Sequence, residues 1–146
     1  MLASRWNGNV VDKLLAGAAS TLDRAGATHE VFRVPGSFEL PQVARRVAAA
    51  GRFDAIVPLG CVIRGETPHF HYVARAVTDG LLRLSLEVDV PIVFGVLTCD
   101  TLAQALDRAG GAEGNKGADA AAAALELVAL RQSTASRTAN TSRRTR

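Results

Sequence analysis

An α/β/α sandwich around a parallel sheet is the fold this sequence predicts, and three observations predict it. Short apolar runs alternate along the chain with longer stretches of helical period. Two of those runs, Asp54–Ile63 and Val90–Cys99, are almost continuously apolar, the pattern of strands buried on both faces. The 146 residues, 48% apolar and 21% charged, suit one domain with a real core, and 26 alanines favour close helix packing.

Each element follows from its own residues. Val11, Leu15, Ala18, Leu22 and Ala25 fall at steps of three and four, a first helix over Val10–Ala25 closed by Gly26. Glu30–Val34 is a short β-prone run ended by Pro35-Gly36. Leu40, Val43, Val47 and Ala50 give a second helix closed by Gly51, and Pro41 pushes Gly36–Glu39 into the turn before it. After Asp54–Ile63, a third helix carries Phe70, Val73, Val77, Leu81, Leu84 and Val88 on one face. Val90–Cys99 is the next strand, and Leu102–Ala109 and Ala118–Leu130 are helices around a Gly-rich turn at 110–117. The sheet thus has at least four strands.

Charge is unevenly placed. The net charge is +3, yet residues 131–146 hold five arginines and no acid, leaving residues 1–130 with 12 basic against 14 acidic side chains. We therefore expect a domain at 1–130 and a Ser/Thr/Arg-rich disordered tail at 131–146. A nucleic-acid role would rest on that tail alone and is not favoured. Cys61 and Cys99 stand far apart with no C-x-x-C pair, so neither a disulfide framework nor a metal site is written here. No signal-peptide pattern or spanning segment is present, and the expected location is the cytoplasm.

Ligands of such sheets bind beyond the carboxyl ends of the strands, here Ser4–Asn9, Pro35–Glu39, Gly60–His69 and Phe94–Asp100. Within Gly65-Glu66-Thr67-Pro68-His69, Thr67 suits an N-cap and Pro68 the first helical position. The free amides of that helix start would form an anion site, unless it is simply an ordinary capped helix. His69, off the apolar stripe and beside this start, is an acid/base candidate, although a lone histidine is more often structural. Asp107-Arg108 followed by GGAEGNKG lacks the P-loop pattern, since Gly117 replaces the Ser or Thr that would hold magnesium. Arg108 is either a phosphate clamp or one solvated charge beside a turn. Glu39 at a strand end can accept hydrogen bonds from hydroxyls, and Trp6 is either the wall of a pocket for a flat heterocycle or core filler.

Five segments in one order, SRWN at 4–7, VPGSFELP at 34–41, LGCVIRGETPHFHYV at 59–73, FGVLT at 94–98 and ALDRAGGAEGNKG at 105–117, resemble the 6,7-dimethyl-8-ribityllumazine synthase family. The resemblance implies a flavodoxin-like sheet. It also implies condensation of 5-amino-6-(D-ribitylamino)uracil with 3,4-dihydroxy-2-butanone 4-phosphate in riboflavin synthesis, without a metal or organic cofactor. Carried over by motif, Trp6 takes the place of a stacking phenylalanine. Ser37, Phe38 and Glu39 match the ribityl-binding segment, and Cys61, Val62, Ile63 and Phe94 the rest of the pyrimidine pocket. Glu66, Thr67 and Arg108 match the phosphate site, Lys116 a lysine near it, and His69 the proton-transfer histidine. The family's assembly implies a homopentamer, in some members an icosahedral shell, with sites between subunits and riboflavin synthase as a further partner. The alternative is a non-catalytic lumazine- or flavin-binding or shell-forming relative. One departure stands out: only Met1–Ala3 precede the SRWN motif, where the family has a full apolar strand. The first strand is therefore expected to be truncated, with the natural start upstream of Met1.

Overall fold

In a computed structural model of the chain, four parallel strands run in the order β2-β1-β3-β4, the flavodoxin-like arrangement. The structure describes residues 1–144, and side chains through residue 135. Strand β1 (Leu2–Ser4) is short but central and entirely buried, pairing with β2 (Phe32–Val34) on one side and β3 (Pro58–Ile63) on the other. Strand β4 (Gly95–Cys99) pairs along β3 from Leu59↔Gly95 to Ile63↔Cys99.

The observed strands are shorter than the apolar runs that predict them, for a backbone reason. Pro58 and Pro91 have no N–H to donate, so pairing below β3 and β4 reduces to the Ile56↔Ile92 bridge. Ile56 N–H still donates to Pro91 O (2.8 Å) and Val93 N–H to Ile56 O (2.9 Å), which keeps these apolar segments side by side.

Side-chain alternation sends the strands into two cores. On one face Ala3, Leu59, Cys61, Leu97 and Cys99 meet α1 (Gly8–Arg24), α4 (Leu102–Asp107) and α5 (Lys116–Arg144). On the other, Leu2, Ile56, Val62 and Val96 meet α2 (Leu40–Ala49) and α3 (His69–Glu87). The helical stripes fall where the sequence puts them: Val11, Ala18 and Leu22 are buried on α1, and Val77, Leu81 and Leu84 on α3. Gly26 (φ 69°) and Gly51 (φ 63°) adopt the left-handed conformation just past α1 and α2, as the sequence predicts.

Three local expectations change. The Gly-rich turn at 110–117 is a small antiparallel hairpin, β5 (Ala109–Gly111) and β6 (Gly114–Asn115), separate from the main sheet. Its bulged register and glycine content give it no strand-like alternation to read. Thr67 does not cap α3: the helix begins at His69, Pro68 occupies the cap position, and no side chain closes that end. Residue 130 marks no break, because α5 continues past it with residues 131–135 all exposed; the side chains of the remaining tail residues lie outside those described. Among the described residues no helix is long and apolar enough to cross a membrane.

Candidate active site

At the carboxyl edge of the sheet lies a cavity of about 630 Å³, lined by residues that follow three successive strands and open α3. Trp6 and Asn7 follow β1, the Gly36–Glu39 segment follows β2, Cys61–Ile63 end β3, and His69 and Val73 come from the first two turns of α3.

Asn7 sets the first wall. It takes the left-handed conformation (φ 56°, ψ 41°), which asparagine tolerates better than most residues, and its carbonyl starts α1 by accepting from the N–H groups of Val10 and Val11. Its side-chain Nδ2 donates to Cys61 O (2.9 Å), tying the β1–α1 turn to the end of β3. The Arg5 N–H donates to Val34 O (2.8 Å), holding the same turn beside the end of β2. Trp6 is thereby turned out of the core, stands 74% exposed and lines the cavity.

The second wall is a single 3₁₀ turn, Ser37–Glu39, that puts Phe38 outward at 60% exposure while Ser37 points inward and is buried. The Ser37 hydroxyl has no hydrogen-bond partner among the described residues. Pro41 sits at the start of α2, where its missing N–H costs no helical bond. Two large aromatic rings left in water at one cavity are the feature expected of a surface that stacks on a flat ring.

Cys61 lines the cavity floor. Burial, followed by the neighbouring Cys99, pushes its thiol up to about 12, so at neutral pH it stays protonated and packs as a small apolar group. Cys99 is also raised, by burial first.

The structure brings together Trp6, Ser37, Phe38, Glu39, Cys61, Val62, Ile63 and His69. It does not bring the remaining candidates into that cavity. Glu66 and Thr67 are exposed in the bend before α3. Phe94, 45% exposed, stands just ahead of β4. Arg108 closes α4, its Nη1 donating to Gln104 O (3.1 Å), and its own carbonyl accepts from the Lys116 N–H (2.8 Å) across the hairpin. Lys116 Nζ is paired with Asp119 (2.8 Å). Arg108 and Lys116 are thus joined to each other across the hairpin, and neither is among the residues that line the cavity with His69. Asn7, Gly36 and Val73 line the cavity beside the candidate residues, the first two within the strand-end segments Ser4–Asn9 and Pro35–Glu39. Asn7 was legible as a left-handed residue ahead of a helix, and Val73 as the residue one turn beyond His69.

A flavodoxin-like α/β enzyme, with an aromatic-walled cleft and a histidine at the strand ends, is the class this fold and site define. The chain belongs to the 6,7-dimethyl-8-ribityllumazine synthase family: the family profile of that description matches residues 1–132. A 6,7-dimethyl-8-ribityllumazine synthase of Anaeromyxobacter sp. (strain K) is 54% identical over 129 residues, covering 86% of this chain and 80% of the relative. One of Parabacteroides distasonis is 50% identical over 131 residues, covering 88% and 82%.

Proposed function

We propose that this chain condenses 5-amino-6-(D-ribitylamino)uracil with 3,4-dihydroxy-2-butanone 4-phosphate, releasing phosphate and water to give 6,7-dimethyl-8-ribityllumazine. The observation that carries the reading is the cleft itself: two exposed aromatic rings, a carboxylate and a histidine arranged around one cavity in a chain of this family.

In this reading Trp6 and Phe38 stack on the pyrimidine ring, and Glu39 accepts hydrogen bonds from ribityl hydroxyls. The uracil amine attacks the ketone to form an imine. His69 carries the protons that this addition and the later ring closure must move. The phosphate lies against the first-turn amides of α3, beside Glu66 and Thr67, where the helix dipole favours an anion. Holding the two reactants together supplies much of the acceleration by removing the entropy cost of their encounter.

Phe94, Arg108 and Lys116 complete the site from a neighbouring copy. Within one chain they lie outside the cleft, and a head-to-tail contact would bring one copy's α4–hairpin edge to the next copy's cavity. The active unit is then a ring of identical subunits, a pentamer in the family's pattern. Mixing purified chain with both substrates is expected to produce the lumazine absorbance band together with equimolar phosphate. Binding of the pyrimidine without that band would refute catalysis and leave a lumazine-binding protein.

A further inference from the structure

The His69 side chain has no hydrogen bond or ion pair among the described residues, so its orientation depends on what holds the first turn of α3. Pro68 provides no side-chain cap there, and Thr67 provides none either. The side-chain ties of that turn run instead to one residue, Arg64, which lies just past the end of β3.

Arg64 is fixed at both ends. Its backbone N–H donates to Cys99 O (2.9 Å), continuing the β3–β4 ladder by one residue. Its Nε donates to Asp100 Oδ1 (2.6 Å), and Asp100 is itself held because its N–H donates to Gln104 Oε1 (2.9 Å) in the capping box of α4. From this anchor the guanidinium reaches the two residues that follow His69. Nη1 lies 3.0 Å from His71 Nε2, and since arginine has only donors, that nitrogen is the acceptor. The guanidinium carbon lies 4.7 Å from the centre of the Phe70 ring, and the Phe70 and His71 rings meet edge to face at 5.4 Å.

We propose that Arg64 is a positioning residue for the reaction: by clamping Phe70 and His71 to the end of β4 through Asp100, it orients the adjacent His69 toward the cleft. The inference rests on the reading of His69 as the proton carrier. The clamp needs a planar fork that donates in two directions while its face covers a ring, which a lysine cannot reproduce. Arg64 and Asp100 are both well exposed, so their pairing contributes little to stability. Its effect should therefore show in turnover rather than in melting.

The test is a kinetic double-mutant cycle with His69. Arg64→Ala is expected to lower kcat about tenfold, as misplacing one reacting group does, with KM for both substrates held within about twofold. Arg64→Lys should recover only a small part of the loss, and Asp100→Asn should lower kcat in the same direction by less. The melting temperature should stay within a few degrees of wild type in all three. In a His69→Ala background, Arg64→Ala should have no further effect, because the group it positions is gone. An Arg64→Ala penalty that is the same with and without His69, an unchanged kcat, or full rescue by lysine would overturn the positioning role. A His69→Ala enzyme running at wild-type speed is a different result: it removes the proton-transfer assignment itself, and the role of Arg64 with it.

Discussion

His69 and Arg108 differ in where they sit and in what their loss should do. His69 lines the cleft, and its side chain has no hydrogen bond or ion pair among the described residues. His69→Ala should lower kcat by about 10²–10⁴, the range for a lost general acid/base, and leave both KM values nearly unchanged. Arg108 closes a short helix through one bond to Gln104 O, so its fork is free to take phosphate oxygens. A charge-assisted bond of roughly 1.5–3 kcal/mol corresponds to a tenfold to hundredfold rise in KM for the phosphate substrate in Arg108→Ala, with the pyrimidine KM unaffected. Steady-state kinetics with each substrate varied in turn separates the two. If both variants changed the same parameter, the division of roles would be wrong.

Among the elements, the joint between α1 and α5 governs where the hairpin, and with it Arg108 and Lys116, is held. Asn115 uses its whole amide there: Nδ2 donates to Lys13 O (2.9 Å) and Ala109 O (3.3 Å), while Oδ1 accepts from the N–H groups of Gly117 (2.9 Å) and Ala118 (3.0 Å). Gly117 lies so close to α1 that a Cβ would collide with the Leu14 carbonyl. Gly117→Ala should therefore destabilise by about 3 kcal/mol or more, because helix backbone rather than a side chain must move. Gly65→Ala, with open space around it, should stay within about 0.5 kcal/mol of wild type. Denaturant melts of the two variants check this, and equal midpoints would refute the tight crossing.

The same elements show how far the sequence could be read. The stripes of α1 and α3 and the inner strands were legible because burial on one or both faces leaves a periodic or continuous apolar record. The hairpin was not, because the four glycines from 110 to 117 carry no alternation and its strands bury almost nothing. Residue type alone left the outward turn of Trp6 open between pocket wall and core filler; the motif resemblance put it at the pocket, and the backbone of Asn7 with its bond to Cys61 sets its direction. The motif-based site residues divided along the same line. Trp6, Ser37, Phe38, Glu39, Cys61, Val62, Ile63 and His69 converge in one cavity, whereas Glu66 and Thr67 in the bend before α3, Phe94 ahead of β4, and Arg108 and Lys116 beside the hairpin are not among its lining residues.

At the scale of the whole molecule, that division becomes the main structural argument. One chain supplies a cleft with aromatic walls and His69, while Arg108 and Lys116, the cations proposed for the phosphate, are not among the residues that line it. The family match ends at residue 132, close to where the charge of the chain changes from a slightly acidic body to a basic segment. In the proposed function the reaction belongs to residues of the body, and two copies of that body together complete one site. The measurement that tests this most directly is complementation between His69→Ala and Arg108→Ala subunits, co-expressed with different tags and assayed at low phosphate-substrate concentration, where each variant alone is nearly inactive. With random mixing around a head-to-tail ring, about a quarter of the interfaces pair an intact His69 with an intact Arg108, so the mixed assembly should recover about a quarter of wild-type activity. A mixed assembly no more active than its two parents would show that each site is complete within one chain, and would contradict the shared-site account.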